Sequence, residues 1–97
     1  MTDRFDTLRD ATRKAVFDGP GSTAPELRRS VATGAAPPPL MALVEKIHSR
    51  PYTVTDQDLD SLRSSYDDDQ LFEIIIAAAF GAASDRLAAA RRALEEA

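Results

Sequence analysis

The chain contains no cysteine and only one histidine among its 97 residues. Without cysteine it can form no disulfide, thiolate nucleophile, thiol redox cycle or thiolate metal site. A lone histidine without any cysteine also argues against a transition-metal site. We therefore expect this protein to bind no metal ion and no cofactor.

Two further features are missing from the sequence, a surplus of basic residues and a long hydrophobic run. The net charge is −4 and the pI is about 4.8, whereas nucleic acids and anionic membranes bind basic patches. The longest apolar run covers residues 74–83, and a membrane span needs about 20 residues. The opening MTDRFDTLRD is charged from its third residue and lacks the apolar stretch of a signal peptide. We expect a cytoplasmic protein that binds neither nucleic acid nor membranes.

The residues that are present favour one small all-α domain spanning residues 1–97. Hydrophobic residues make up 43% of the chain, which is enough for a core, and no stretch alternates with period two. A chain of this size buries only about 60–65% of its surface on folding, so oligomerisation is a common source of additional stability. The expectation is a domain of about five helices that forms a homo-oligomer.

Turn signals and capping residues divide the chain into these helices. Helical spacing at Phe5, Leu8, Thr12, Ala15 and Val16 predicts a first helix over residues 4–18, with Asp3 as its cap. The second helix is predicted to follow caps at Ser22 and Thr23 and to end at Gly34; a third covers about 39–49. Thr55 is predicted to cap the fourth, and Asp67 or Asp68 the last and longest, about 68–95.

The stretch FEIIIAAAFGAA, residues 72–83, makes this last helix unusual. At 100° per residue one apolar stripe contains Phe72, Ile76, Ala79, Ala83, Leu87, Ala90 and Leu94. A second stripe beside it contains Leu71, Ile75, Ala78 and Ala82. The pattern predicts a helix whose first half is buried nearly all round, with small residues that let another helix approach closely. Four other short helices are too few to enclose it, so a subunit interface is predicted at Phe72, Ile75, Ala78, Ala79 and Ala82.

Residues 52–87 contain a recognisable pattern of capping, apolar and charged positions. They are Val54, Thr55, Asp56, Asp58, Leu59, Leu62, Arg63, Tyr66, Asp68, Asp69, Leu71, Phe72, Glu73, Arg86 and Leu87. In this pattern the segment resembles the carboxymuconolactone decarboxylase and alkylhydroperoxidase-D-like superfamily. Ser65 stands where the family pattern usually has glycine. The resemblance implies an all-helical, alkylhydroperoxidase-D-like fold with a long C-terminal packing helix and assembly into trimers or hexamers. The family's peroxidase branch uses a Cys-x-x-Cys pair, which this chain lacks, so the resemblance does not carry that activity.

Glu73 and His48 are the candidate catalytic residues. Glu73 interrupts an apolar run, and a buried carboxyl has a raised pKa suited to general acid or base chemistry. The alternative is that Glu73 stabilises a helix end or pairs with an arginine. His48 is the one imidazole, but it lies near a helix C-terminus, where a cationic side chain is favoured in any case.

Other polar groupings are interpreted structurally. The aspartates at 56, 58, 60 and 67–69 fit helix capping better than a Ca²⁺ or Mg²⁺ loop, because the ligand spacing and turn glycine are missing. DGPGS at 18–22 lacks the phosphate-loop spacing and is predicted to be a connector. Arg28, Arg29, Arg91 and Arg92 are predicted to be solvated.

Three functions remain open from the sequence. The first is a non-redox, oligomeric scaffold, accessory subunit or small-molecule-binding subunit. The second is a decarboxylase-like enzyme that acts on a small organic acid through Glu73, together with His48 or an arginine. The third is an adaptor whose apolar helix binds a different protein.

Overall fold

A computed structural model describes residues 4–96, with side chains from Thr7 onward, and all regular structure in this range is helical. The five α-helices are α1 Arg4–Asp18, α2 Pro25–Ala32, α3 Met41–Ser49, α4 Asp56–Asp60 and α5 Asp68–Glu96. Short 3-10 helices at Pro38–Leu40 and Pro51–Thr53 precede and follow α3. The all-α class and the long C-terminal helix are confirmed, while the predicted Asp3 cap lies outside the described residues. None of the described helices has the length and hydropathy to cross a membrane.

α5 is the framework on which the other helices pack. It has 29 residues and is therefore about 43 Å long at 1.5 Å per residue. α2, α3 and α1 all contact it. The loop before α2 reaches Glu73 near the start of α5, and the last residue of α2, Ala32, lies against Gly81 further along. α2 and α5 therefore run in the same direction, side by side.

Gly81 sets the distance between α2 and α5. A Cβ atom at this position would lie 2.1 Å from the carbonyl oxygen of Ala32 and 2.6 Å from its Cα. Backbone atoms occupy the space that any side chain at position 81 would need. The predicted close helix approach at the small residues is confirmed, and its partner is α2 of the same chain.

The core lies on one side of α5. Four side chains are fully enclosed, Leu40, Ile74, Val31 and Val44, and Ala77 and Ala78 are also fully buried. The second stripe of α5 faces this core: Leu71, Ala78 and Ala82 are buried and Ile75 is half-buried. α2, α3 and the 3-10 helix before α3 supply the opposing side chains.

The first stripe of α5 is exposed, contrary to the expectation that the first half of this helix is buried nearly all round. Phe72 is 66% exposed, Ile76 40% and Leu94 77%. Ala79, Ala83 and Ala90 are also exposed, and Leu87 is half-buried. The four shorter helices cover only one side of α5, so the prediction that they cannot enclose it is confirmed.

α1 contacts the rest of the domain mainly through its last turn. Val16 and Phe17 pack against the core, and the Phe17 ring meets the Phe80 ring edge to face at a centroid distance of 5.7 Å. Leu8 is 60% exposed, and Thr12 and Ala15 are exposed too. The α1 face identified from the sequence is therefore largely open to solvent, because only its C-terminal end reaches the core.

Two of the predicted helix caps are present. Thr55 accepts from the backbone N–H of Asp58, whose carboxylate accepts from the N–H of Thr55, and this forms a capping box. Asp67 and Gln70 make the same reciprocal pair at the start of α5. Gly34, with φ of 93°, follows α2 as predicted. The N–H groups of Gly34 and Ala35 donate to the carbonyl oxygens of Val31 and Ser30, respectively, and so complete the end of the helix.

The predicted cap of α2 is wrong. The residue before this helix is Ala24, which has an extended backbone and makes no side-chain cap. A residue before proline is biased toward the extended region, and Pro25 suits the first helical position, so the helix begins at Pro25, one residue later than expected. Ser22 and Thr23 precede the helix and donate hydrogen bonds to the carboxylate of Glu73 instead.

Candidate functional site

Glu73 is held by the loop that precedes α2. Its Oε2 accepts from the backbone N–H of Ser22 at 2.6 Å. Its Oε1 accepts from the backbone N–H of Thr23 at 3.0 Å and from the Thr23 hydroxyl at 2.7 Å. Both carboxylate oxygens are therefore engaged by donors fifty residues away in the sequence.

These donors lower the pKa of Glu73 below its ordinary value. The backbone N–H of Ser22 has the largest effect, followed by the Thr23 hydroxyl, while partial burial acts in the opposite direction. The positive charge of Arg28 contributes further. Hydrogen bonds to the ionised form favour it over the neutral acid. Glu73 is thus an anchored carboxylate, whereas the acid–base interpretation required a raised pKa.

Gly21 leaves the space that the Glu73 carboxylate occupies. A Cβ on Gly21 would lie 2.5 Å from Oε1 and 2.9 Å from Cδ of Glu73. The glycine-rich DGPGS segment therefore receives an anion at its backbone N–H groups, and that anion is a side chain of the same protein. The segment connects α1 and α2 as predicted. It also contacts Glu73 of α5, and the sequence pattern did not indicate this contact.

His48 contacts the other end of α2. Its Nε2 lies 2.8 Å from the carbonyl oxygen of Val31. Because a carbonyl only accepts, Nε2 carries the hydrogen in this contact. The carbonyl oxygen of His48 in turn accepts from the Arg86 guanidinium at 2.6 Å, so the end of α3 is tied to α5.

The structure does not bring Glu73 and His48 together. Glu73 contacts Thr23, before α2 begins, and His48 contacts Val31, near the end of this helix. Eight residues of rise separate Thr23 and Val31, or about 12 Å if the segment is helical throughout. The two candidate catalytic side chains therefore stabilise opposite ends of α2.

Arg28 is the polar residue whose burial the sequence analysis missed. Only 4% of it is exposed, and its two terminal nitrogens donate to the carbonyl oxygens of Val16 and Gly19 at 2.9 and 2.8 Å. It thus binds the C-terminal end of α1, where a cation is favoured. The prediction that Arg28 is solvated is wrong, because α2 packs this face against α1. Its neighbour Arg29 is exposed, as predicted, and pairs with Asp18.

A small cavity lies where Arg28 and Glu73 meet the exposed side of α5. Its volume is about 150 Å³, and its lining is Ala15, Val16, Pro20, Arg28, Phe72, Glu73 and Ile76. The Nε of Arg28 is buried and has no hydrogen-bond partner among the residues that the structure describes. The exposed side chains Phe72 and Ile76 form part of the cavity wall.

A larger open groove of about 920 Å³ lies between α1, α2 and α5. Phe17, Phe80 and Gly81 contribute to its lining, together with cationic and anionic side chains. The cations are Arg9, Arg13, Lys14 and Arg29, and the anions are Asp10, Asp18 and Asp85. In the sequence, only the basic residues of RDATRK indicated that this part of α1 could line a groove. The packing of α1 against α2, which forms the groove, was not predictable from them.

The five predicted interface residues divide into two groups. Ala78 and Ala82 are 0% and 3% exposed, so they fill the core of their own protomer and have no surface left for a partner. Phe72 and Ala79 are exposed, and Ile75 is half-buried. Of the five predicted interface residues, only Phe72, Ala79 and part of Ile75 are therefore open to a partner.

The aspartate clusters act at helix ends. Asp58 pairs with Lys46 through both carboxylate oxygens, at 3.0 and 2.9 Å, and Lys46 is the main cause of its lowered pKa. Asp68 pairs with Arg63. Within residues 4–96 no three histidine, aspartate or glutamate side chains are grouped as metal ligands.

Comparison with family models, curated proteins and solved structures found no match. The resemblance to the alkylhydroperoxidase-D-like superfamily therefore remains a prediction from residues 52–87.

Proposed function

We propose that this protein is a non-redox, helical homo-oligomeric subunit of the alkylhydroperoxidase-D-like type, with an accessory or small-molecule-binding role. The observation that carries the proposal is the uncovered apolar stripe of α5. Single exposed hydrophobic residues are ordinary, whereas a contiguous apolar surface indicates an interaction site. Phe72 and Ile76 begin this surface, and Leu94 ends it six turns further along the helix.

The composition supports the non-redox part of the proposal. No cysteine is available anywhere in the 97 residues for thiol chemistry. The alternative, a decarboxylase-like enzyme using Glu73, has less support. The carboxylate of Glu73 already accepts three hydrogen bonds, and its pKa is lowered, so it is a weak base with its lone pairs largely occupied.

The groove between α1, α2 and α5 supports the small-molecule-binding role. Its aromatic floor of Phe17 and Phe80 and a rim with four basic against three acidic side chains suit a small aromatic or aliphatic carboxylate. Titration with 2-naphthoate, followed by backbone amide shifts, is the direct test. The expected shifts map to α1 and the middle of α5, and Lys14→Gln should weaken them; shifts confined to other helices would contradict this role.

The oligomer is tested by the mass in solution, measured by light scattering. The expected wild-type mass is a multiple of the 10.5 kDa chain. Ile76→Glu places a charge in the proposed interface and is expected to give the monomer mass with an unchanged helical circular dichroism spectrum, because burying unpaired carboxylates opposes association.

Met41→Glu is the matched control for this experiment. Met41 is 58% exposed and lies on α3 rather than on the stripe, so this variant is expected to keep the wild-type mass. A wild-type protein that remains monomeric at high concentration contradicts the proposed function. A folded Ile76→Glu variant with an oligomeric wild-type mass would show that the interface lies outside the stripe.

A further inference from the structure

The exposed stripe of α5 has an internal symmetry in its positions. Its seven members are Phe72, Ile76, Ala79, Ala83, Leu87, Ala90 and Leu94. Phe72 and Leu94 lie eleven residues on either side of Ala83. Ile76 and Ala90 lie seven residues on either side, and Ala79 and Leu87 lie four. Read from either end of the helix, the spacing of apolar positions is therefore the same.

We propose that two copies of this chain pair through their α5 helices, antiparallel, on a two-fold axis that passes beside Ala83. This inference rests on the proposed homo-oligomer and specifies its contact. A two-fold interface uses the same patch on both subunits, so it requires a surface that is complementary to itself when reversed. The seven positions of the stripe meet the geometric part of that requirement, as any apolar helix stripe of this spacing does, so the sizes of the side chains must supply the rest.

Side-chain size is complementary in this register as well as position. Ile76 of one copy lies opposite Ala90 of the other, and Leu87 lies opposite Ala79. Each pair thus joins one large and one small side chain, while Ala83 meets its own copy at the axis. Small residues at the centre allow an axial separation near the lower end of the usual 8–10 Å. Phe72 and Leu94 face each other at both ends of the contact.

The helix dipoles favour the antiparallel direction, because two dipoles oppose each other in an antiparallel pair and align in a parallel one. Side-chain charge adds little to this preference. The first half of α5 carries Asp68, Asp69 and Glu73 and no basic residue, and the second half carries Arg86, Arg91 and Arg92 against Asp85, Glu95 and Glu96.

The stripe has the repeat expected of a helix that packs over a long distance. Phe72 and Ala83, Ile76 and Leu87, Ala79 and Ala90, and Ala83 and Leu94 are each eleven residues apart. An eleven-residue repeat has 3.67 residues per turn, close to that of a straight α-helix, so the stripe does not wind off the contact face. From Phe72 to Leu94 the contact is about 33 Å long. The exposed Ala15 of the neighbouring α1 lines the same small cavity as Phe72 and Ile76 and widens the apolar surface there.

Cysteine cross-linking tests the register directly, because the native chain has no thiol to interfere. Ala83→Cys places its two copies at the axis. With helices 8–10 Å apart, the facing Cα atoms are within about 6 Å, which a disulfide can span. Ala89→Cys is the matched control, since Ala89 is exposed and lies about 120° around the same helix from Ala83.

Ala83→Cys is expected to form the disulfide-linked dimer roughly tenfold or more faster than Ala89→Cys, because paired subunits hold their thiols at an effective concentration in the millimolar range. Ile76→Cys alone is expected to cross-link no faster than the control, since its two copies would lie about 21 Å apart along the axis. A mixture of Ile76→Cys with a tagged Ala90→Cys chain is expected to give the mixed dimer, recognised by its mass. Circular dichroism confirms that each variant is folded.

The outcomes separate this inference from the proposed function. Rapid cross-linking of Ile76→Cys with itself would show a parallel pair and overturn the antiparallel register. So would equal rates for Ala83→Cys and Ala89→Cys in a protein of oligomeric mass. A trimer in light scattering would overturn the two-fold pair while leaving the homo-oligomer in place. A monomer would contradict both.

Discussion

Glu73 and Thr23, fifty residues apart in the sequence, are joined through a single carboxylate oxygen. Oε1 of Glu73 accepts from both the backbone N–H and the hydroxyl of Thr23, at 3.0 and 2.7 Å. The second oxygen accepts from the N–H of Ser22. This contact ties the loop between α1 and α2 to the first turns of α5, so that α2 begins at a defined point on the framework helix.

Removal of this carboxylate should destabilise the fold. Glu73→Ala leaves the N–H groups of Ser22 and Thr23 and the Thr23 hydroxyl without their acceptor, and we expect a loss of about 2–3 kcal/mol in the free energy of unfolding. Glu73→Gln keeps one acceptor oxygen and should lose less, about 1–2 kcal/mol. Urea denaturation measures both, with the exposed Glu95→Gln as control. A Glu73→Ala protein as stable as the control would contradict the anchoring role.

The same carboxylate should make stability depend on pH. Because the pKa of Glu73 is lowered in the folded state, its contribution is fully present above the unfolded-state pKa of about 4.3 and is lost as the pH falls through the lower folded-state value. We expect the wild type to lose more stability than Glu73→Gln between pH 6 and pH 3. Asp58, whose pKa is also lowered, contributes with the same sign to both proteins.

Urea midpoints at several pH values in this range provide the measurement. Asp58→Asn serves as a second variant, since it removes a separate part of the pH dependence and leaves the Glu73 part intact. Parallel profiles for the wild type and Glu73→Gln would show that the Glu73 contact is not preserved in solution.

Gly81 should be intolerant of even a methyl group. In an ordinary helix Gly→Ala stabilises by about 1 kcal/mol, but here the added Cβ would meet the backbone of Ala32 at 2.1 Å. We expect Gly81→Ala to destabilise the protein by about 2 kcal/mol or more, as overpacking against a rigid backbone does. Ala89→Gly, on the same helix, exposed and outside the first stripe, is the control and should cost only about 1 kcal/mol from helix propensity. A stabilised Gly81→Ala protein would show that α2 and α5 lie further apart.

Several features were predictable from the sequence because their causes are local. Thr55 and Asp58 are three residues apart and cap their own helix, and Asp67 and Gln70 repeat this arrangement. Gly34 adopts the positive φ that glycine tolerates best and follows α2 at the predicted position. The apolar periodicity of α5 likewise required only the spacing of its own residues. Neighbouring residues settle these features whatever the rest of the chain does.

The features that failed depend on where distant segments pack. Ser22 and Thr23 are suitable caps in isolation, but Glu73 from α5 provides a stronger charged acceptor for them. In its local sequence Arg28 resembles any solvated helical arginine. Its burial is visible only in the fold, where the carbonyl groups at the end of α1 accept its hydrogen bonds. Sequence spacing could not assign these partners, because each lies on a different helix.

The amino-acid sequence alone indicates an all-helical protein without thiol chemistry, in which α5 carries two apolar stripes. The packing of the other helices on α5 selects the stripe that forms the core. Both are apolar and share one helix, so periodicity cannot distinguish them; the approach of α2 at Gly81 turns Ala78 and Ala82 inward. Because Ala78 and Ala82 face α2, the other stripe, with Phe72, Ile76 and Leu94, faces outward. The same packing places Glu73 against Thr23. The hydrogen bond from Thr23 helps to lower the pKa of Glu73, whereas the acid–base interpretation of the sequence required a raised pKa.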